Sequence, residues 1–242
     1  MDEIKTRAGG KILEAKKTSP EYALFGEKIQ KVYSQGGKNL DVLKGIDFKI
    51  KMGEIIAIVG PSGAGKSTLL HILGLMDNPS SGELTLLGWN VEKMKETEKD
   101  NLRNKYIGFL FQFHYLLPDF TLLENVSLPL RIQGFKEKHA KDLAAELLVA
   151  VGLKERMTHF TSQVSGGEQQ RAALARAMVS KPSLLICDEP TGNLDLERGE
   201  EIRDLIWRIA RAQGSTVLVA THNPEIAKNA DRILKIVDGK IV

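Results

Sequence analysis

Residues 60–68, with the sequence GPSGAGKST, have the types and the spacing of a loop that binds a nucleoside triphosphate. Glycines let backbone N–H groups wrap around an anion, and the lysine places a positive charge on its outer phosphates. The hydroxyl that follows the lysine is suited to bind Mg²⁺. We call these residues the phosphate loop. Its predicted binding residues are Gly60, Pro61, Ser62, Gly63, Ala64, Gly65, Lys66, Ser67 and Thr68, with Ser67 also a magnesium ligand.

Two adjacent carboxylates, Asp188 and Glu189, follow a short apolar run, LLIC, that is typical of a buried strand. Ligands of open α/β sheets bind at the carboxyl ends of such strands. We therefore expect Asp188 to hold Mg²⁺ and Glu189 to act on an attacking water as the general base. His222 ends a second apolar run, TVLVA, where it is either a contact to the γ-phosphate or a structural histidine.

The segment VSGGEQQR, residues 164–171, predicts the start of a helix, and we call it the signature segment. Ser165 and Glu168 have the spacing of a capping box. A capping box does not explain Gly166 and Gly167, since a glycine costs a helix interior about 1 kcal/mol. Two glycines are useful where a phosphate or another backbone comes close to a helix N-terminus. Because the phosphate loop already supplies one anion site, this second site is most useful to a nucleotide held by another copy.

The elements around these residues alternate between buried strands and helices, which predicts an α/β fold with a mostly parallel sheet. Strand-like runs cover residues 54–60, 183–190 and 216–222, and Gly36-Gly37 predicts a hairpin turn. Helical spacing places Leu143, Leu147 and Val151 on one stripe, which we interpret as core packing. Residues 1–20 have no clear periodicity and are predicted to be a loosely packed extension.

Composition excludes several classes of protein. The chain has 242 residues, with 34 basic and 31 acidic residues of mixed order, so no dense basic arm indicates nucleic acid. The one cysteine, Cys187, cannot form an internal disulfide. No apolar run approaches the roughly 20 residues that span a bilayer, and the N-terminus lacks a signal-peptide pattern. We therefore expect a cytoplasmic chain, whose role at a membrane would depend on a partner.

These motifs, taken in order from about residue 27 onward, resemble the nucleotide-binding domain of an ATP-binding cassette (ABC) transporter. The resemblance implies a P-loop NTPase of ABC type. Its RecA-like core has a mostly parallel sheet, with an antiparallel β subdomain and an inserted helical subdomain. Residues 21–242 would form this domain, with the helical subdomain over about 113–180. The signature segment departs from the common pattern at Glu168, where glutamine is frequent, and at Val164, where leucine is frequent.

The resemblance also implies the roles of further residues. Gln112 would reach Mg²⁺ and the attacking water, Tyr33 would stack on adenine unless it is a core residue, and His222 would be catalytic with Glu189 and Gln112. Two copies would enclose two ATP molecules head to tail and separate after hydrolysis. The residues that would bind the nucleotide of the other copy are Ser165, Gly166, Gly167 and Asp195.

The stretch FHYLLPDFT, residues 113–121, is unusually apolar for a loop. In the family this segment follows the glutamine and contacts the membrane-embedded subunits, so we expect it to dock two integral membrane permease subunits. The alternative is a loop that folds back onto its own helical lobe. Residues 112–130 and the signature segment resemble the ATPases of bacterial lipoprotein-releasing systems. The expected role is then ATP hydrolysis at the cytoplasmic face of the inner membrane, without contact to the cargo.

Other functions remain open from the sequence. Related ATPases act in macrolide efflux and in cell division and share most of these motifs. Ribosome-acting and DNA-repair members of the family are disfavoured, because the chain has a single cassette, no sustained heptads and mixed charge. A cassette that only binds ATP is disfavoured because Gln112, Glu189 and His222 are all present.

Overall fold

Ten strands form two sheets in the computed structural model, which describes residues 21–192 and 194–242. The predicted extension over residues 1–20 lies outside the described residues, as does Asn193. In chain order the strands are β1 (Tyr22–Gln35), β2 (Lys38–Lys51), β3 (Ile55–Val59), β4 (Ser81–Leu86), β5 (Trp89–Asn90), β6 (Ile107–Phe111), β7 (Leu184–Asp188), β8 (Thr216–Ala220), β9 (Arg232–Val237) and β10 (Lys240–Ile241).

The smaller sheet is antiparallel and has the order β2-β1-β4-β5. Its first hairpin turns at Gly36 and Gly37, whose φ angles of 57° and 76° lie in the left-handed region that glycine adopts at little cost. The hairpin predicted at these two glycines is therefore confirmed.

The larger sheet has the order β10-β9-β3-β8-β7-β6, and its strands are parallel apart from the β9–β10 hairpin. Its central strands are buried on both faces. In β3, Ile55 and Ala57 belong to one hydrophobic core and Ile56 and Ile58 to the other. This burial explains why the strands are continuously apolar, and the predicted α/β fold with a mostly parallel sheet is confirmed.

Seven α-helices are found in the described residues, and they lie between the strands in sequence. They are α1 (Lys66–Leu73), α2 (Glu96–Tyr106), α3 (Leu122–Ile132), α4 (Glu137–Ala150), α5 (Gly166–Met178), α6 (Leu196–Gln213) and α7 (Pro224–Lys228). Helix α1 packs with the antiparallel sheet on one face of the parallel sheet, and α3 to α6 contribute to the core on the other face.

Helices α3, α4 and α5 contact one another and are inserted between β6 and β7, which are neighbours in the sheet. An inserted helical subdomain over about 113–180 is compatible with this arrangement and stays a prediction. The core packing predicted for Leu143, Leu147 and Val151 is confirmed, since Val151 is 2% exposed and the two leucines pack against the same core. The buried residues of α4 are Ala140, Ala144 and Leu148, whereas Leu143 and Leu147 are half-buried. The small alanines suit the close packing of α4 against its neighbours α3 and α5.

Candidate nucleotide site

The phosphate loop connects the end of β3 to the first residue of α1 and needs glycine at three positions. A Cβ at Gly60 would lie 2.0 Å from the carbonyl oxygen of Ile236, and one at Gly65 would lie 2.8 Å from Leu43 Cδ2. Gly63 has open space around it, but its φ of 76° favours glycine. The loop is therefore held in one shape by packing at its ends, and its middle is free to contact a ligand.

Lys66 lies over this loop, where its Nζ donates to the carbonyl oxygens of Gly60 at 2.9 Å and Pro61 at 3.1 Å. Within the described chain, the N-terminus of α1 has no side-chain cap and no acidic residue in its first turn. Uncapped N–H groups, the helix dipole and an ammonium group are thus brought together in the phosphate loop. This combination fits the phosphates of a nucleotide.

Tyr33 lies at the surface with 39% of its area exposed, which argues against the core role left open by the sequence. Its hydroxyl donates to Asp77 Oδ2 at 2.7 Å, and Lys31 Nζ lies 4.8 Å from the ring centroid. Lys31 also pairs with Asp77 Oδ1 at 2.6 Å. Partial burial and the Asp77 hydrogen bond raise the pKa of Tyr33. The ring is held by two neighbours and remains accessible for stacking.

The acidic strand β7 ends at Asp188, and Glu189 follows with a φ of 47° in the left-handed region. Its N–H donates to the carbonyl oxygen of Ala220 at 2.9 Å, which fixes this turn to the end of β8. Glu189 Oε2 lies 2.9 Å from His222 Nδ1. A strained backbone that brings a carboxylate and a histidine together is characteristic of functional sites. Cys187 before them is fully buried, and burial raises the pKa of its thiol, so it fills core space.

Gln112 follows β6, the neighbour of β7, and reaches the turn after Glu189. A Cβ at Gly192 would lie 2.9 Å from Gln112 Nε2, so the glycine makes room for this carboxamide. The structure therefore brings Gln112 to the acidic turn, as the predicted catalytic set requires. Asp195 has a local role that the sequence analysis missed, because its Oδ1 accepts from the N–H of Arg198 at 2.9 Å and caps α6.

The predicted magnesium ligands Ser67, Gln112 and Asp188 include one carboxylate. In residues 21–192 and 194–242, no three histidine, cysteine or acidic side chains are grouped so that they could hold a metal by themselves. Mg²⁺ commonly takes few protein ligands and completes its octahedron with phosphate oxygens and water. The donor set fits a metal ion that arrives with the nucleotide.

The signature segment starts α5 as predicted, with a capping box between Ser165 and Glu168. Ser165 Oγ accepts from the Glu168 N–H at 3.3 Å, and Glu168 Oε2 accepts from the Ser165 N–H at 2.8 Å and its hydroxyl at 2.9 Å. These bonds and Arg156 lower the pKa of Glu168 to about 2 from 4.5. The depressed pKa means that the ionised form stabilises the fold above about pH 4.5, an effect lost as the pH falls towards 2.

Gly166 and Gly167 have no positive φ angle, and a Cβ at either would meet no described atom within 4 Å. Nothing in the described part of the chain therefore requires glycine there. No hydrogen bond or ion pair between described residues joins the signature segment to the phosphate loop. The two small residues leave the N-terminus of α5 open to close approach.

Two residues of α5 that the sequence analysis missed connect this helix to the stretch after Gln112. Gln170 is 1% exposed, and its Nε2 donates to the carbonyl oxygens of Phe111, at 3.2 Å, and Pro190, while its Oε1 contacts His114 Nδ1. Arg176 donates to the carbonyl oxygens of His114 at 2.8 Å and Tyr115 at 2.6 Å. Burial lowers the pKa of Arg176. The available sequence signal for Gln170 was a glutamine on an otherwise alanine-rich helix face.

The stretch 113–121 presents an aromatic patch, which we define as Phe113, Tyr115, Leu117 and Phe120. Their exposed fractions are 61%, 65%, 38% and 39%. Leu116, between them, packs against the core instead. A groove of about 690 Å³ lies beside the patch and is lined in part by Phe111 and Arg176, which contact the patch residue Tyr115. The stretch therefore both folds back onto its own lobe and presents an exposed apolar surface.

Comparison with known proteins agrees with this geometry. The sequence profile of the ABC transporter family matches residues 43–192. A lipoprotein-releasing system ATP-binding protein, LolD, of Geobacter metallireducens is 48% identical, with 88% of this chain and 95% of that protein covered. A LolD 1 of Rhodospirillum rubrum is 45% identical, with 92% of this chain and 99% of the relative covered.

The fold has a solved counterpart as well. A dimeric structure of the ATP-binding cassette MJ0796 in a post-hydrolysis state, bound to ADP and Pi, matches with a TM-score of 0.83 and 36% identity, covering 90% of this chain and 96% of that one. The predicted P-loop fold of ABC type is therefore confirmed. This protein belongs to the ABC transporter family and is one of its ATP-binding ATPases. No helix of the described residues is long and apolar enough to cross a membrane.

Proposed function

We propose that this protein is the ATP-hydrolysing subunit of a lipoprotein-releasing ABC complex. The observation that carries the proposal is the 48% identity to a lipoprotein-releasing ATP-binding protein over 88% of the chain. Residues 21–242 would form the nucleotide-binding domain, peripheral at the cytoplasmic face of the inner membrane. The work would be mechanical, since the cargo lies across the membrane from this subunit.

The contacts around the phosphate loop support a division of roles within one nucleotide site. Lys66 would leave the Gly60 and Pro61 carbonyls and bind the β- and γ-phosphates, while Tyr33 stacks on adenine. Ser67, Gln112 and Asp188 would hold Mg²⁺, which supplies charge stabilisation to the phosphates when bound. Glu189 would accept the proton of the attacking water, and His222, 2.9 Å from Glu189, would orient it and contact the γ-phosphate.

A second copy would complete each site. Ser165, Gly166 and Gly167 would bind the γ-phosphate held by the other copy, and Asp195 would lie at the shared interface. The open space around the two glycines supports this arrangement, because a phosphate can approach their N–H groups closely. Such a contact is two-fold symmetric and depends on the ligand, so hydrolysis would separate the copies.

The aromatic patch and the adjoining groove would dock the two permease subunits. Gln170 and Arg176 support this role. Gln170 connects the Phe111 carbonyl to that of Pro190, next to Glu189, and Arg176 binds the carbonyls of His114 and Tyr115. Movement of a docked permease would thereby reach the acidic turn through a buried side chain rather than through a loose loop.

Phe113→Ala and Tyr115→Ala are expected to weaken permease binding about tenfold or more, since buried aromatic anchors often contribute above 1 kcal/mol each to an interface. Basal ATP hydrolysis and the melting temperature should stay nearly unchanged, because both side chains are more than 60% exposed. Leu116→Ala is the matched comparison, because its side chain packs against the core and its loss should lower the melting temperature. Equal losses of stability in all three variants would contradict the docking role.

The proposed function is tested by capture of the tagged Glu189→Gln protein from detergent-solubilised membranes of its host, with mass spectrometry of the retained chains. Recovery of two related membrane proteins with large periplasmic domains would support lipoprotein release. Recovery of a single such protein together with an efflux adaptor would contradict lipoprotein release and favour macrolide efflux. Ribosomal or DNA-repair proteins without a membrane chain would contradict a role in transport.

A further inference from the structure

Glu168 places a negative charge at the N-terminus that is proposed above to receive a phosphate. As the third residue of α5, it belongs to the same turn as Ser165, Gly166 and Gly167. A carboxylate favours the helix dipole but repels an incoming γ-phosphate, and the repulsion is largest where water is excluded. The site therefore needs a cation beside Glu168 if it is to bind phosphate well.

Arg156 is that cation, with its Nε 3.1 Å from Glu168 Oε1. It is the one residue of the described chain that forms an ion pair with Glu168. The two oxygens of the carboxylate are divided, since Oε1 faces Arg156 while Oε2 accepts both the N–H and the hydroxyl of Ser165. A phosphate that binds Ser165 takes over its N–H and hydroxyl donors. The Glu168 carboxylate then needs another partner.

We propose that Arg156 is a positioning residue for the nucleotide of the other copy. It neutralises Glu168 and holds the Glu168 carboxylate in place when the donors of Ser165 turn to the phosphate. The inference rests on the proposed function, since it presupposes that two copies enclose ATP. It adds a residue outside the signature segment to the composite site, twelve positions before the residue that it contacts.

The local structure of Arg156 suits this role. Its backbone is fixed in a short turn after α4, where its N–H donates to Leu153 at 3.0 Å and its carbonyl accepts from His159 at 3.0 Å. Its side chain is 45% exposed, and its guanidinium pairs with Glu168 at the surface. Replacement of the side chain should therefore leave the fold intact while it removes the charge.

The test measures the dissociation constant of the ATP-bound dimer by sedimentation in the Glu189→Gln background with Mg²⁺. An exposed ion pair accounts for about 1.4- to fivefold in affinity, and the dimer contains two such sites, so Arg156→Ala should weaken dimerisation by about 2- to 25-fold. ATP binding by the monomer should not change, because its own phosphate loop is untouched. The defect should be largest at low salt.

The decisive comparison removes the negative charge of Glu168 instead of the positive charge of Arg156. Glu168→Gln removes the repulsion, so the added Arg156→Ala should then have little effect, and Arg156→Lys should restore most of the lost affinity. Arg131→Ala is the matched control, since Arg131 pairs with Glu137 at a similar exposure of 41% in the same group of helices.

Three results would overturn the inference. An unchanged dimer in Arg156→Ala would show that Glu168 needs no counter-charge, and an equal loss in the Glu168→Gln background would assign Arg156 a role apart from Glu168. Absence of any ATP-dependent dimer in the Glu189→Gln parent would instead contradict the proposed function itself, and the inference with it.

Discussion

Glu189→Gln is expected to lower ATP turnover at least about 100-fold, because a glutamine cannot accept the proton of the attacking water. The substitution keeps the shape of the side chain and one hydrogen-bond acceptor for His222 Nδ1, which lies 2.9 Å from Glu189 Oε2. The backbone that places this residue is fixed by the bond to the Ala220 carbonyl at 2.9 Å and should not change. ATP affinity should therefore be retained while chemistry is lost.

Steady-state phosphate release and equilibrium ATP binding, measured on the same preparation, separate these two effects. Glu146→Gln is the matched control, because it makes the same chemical change at an exposed position of α4. Turnover close to that of the unmodified protein would exclude Glu189 as the general base. Loss of ATP binding together with turnover would assign Glu189 to binding rather than to proton transfer.

Lys66→Ala is expected to weaken ATP binding about 10- to 100-fold, as removal of a charged hydrogen-bond partner costs roughly 1.5–3 kcal/mol. In the free protein, Lys66 contacts the carbonyl oxygens of Gly60 and Pro61 and lies at the surface of the loop. The variant should therefore fold with nearly unchanged stability. The increase in melting temperature that saturating ATP gives the unmodified protein should largely disappear, since that increase depends on affinity.

Titration calorimetry with ATP and Mg²⁺ measures the affinity, and Lys138→Ala controls for the loss of one positive charge at an exposed position. ATP affinity that stays within a factor of two of the control would mean that Lys66 does not contact the phosphates. Residues 60–68 would then not be the loop that binds the phosphates of ATP.

The nucleotide site was predictable where the chemistry is local in sequence. The glycines of the phosphate loop and the two acids at the end of β7 have a fixed spacing to a strand or helix, so their positions follow from the chain direction alone. The capping box of Ser165 and Glu168 was predictable for the same reason, because both partners lie within one helical turn.

Contacts between elements were not predictable in the same way. The contact of Arg156 with Glu168 depends on the angle at which α5 follows α4, and the sequence does not specify that angle. The most deeply buried residues of α4, Ala140, Ala144 and Leu148, were not singled out, because alanine gives a weaker hydrophobic signal than leucine. The strained φ of Glu189 and the link from Gln170 to Pro190 also depend on how β6, β7 and β8 are placed together.

In the proposed mechanism two copies enclose ATP, and each completes the site of the other through the signature segment. Sedimentation of the Glu189→Gln protein tests it most directly, with Mg²⁺ and either ATP or ADP, beside a variant that also carries Gly167→Leu. Leucine fits the free chain, because a Cβ at Gly167 meets no described atom within 4 Å, but it would occupy the space that the phosphate needs. We expect a dimer with ATP, a monomer with ADP, and an ATP-bound monomer for the double variant. A Glu189→Gln protein that stays monomeric with saturating ATP, or a dimer that persists with Gly167→Leu, would contradict it.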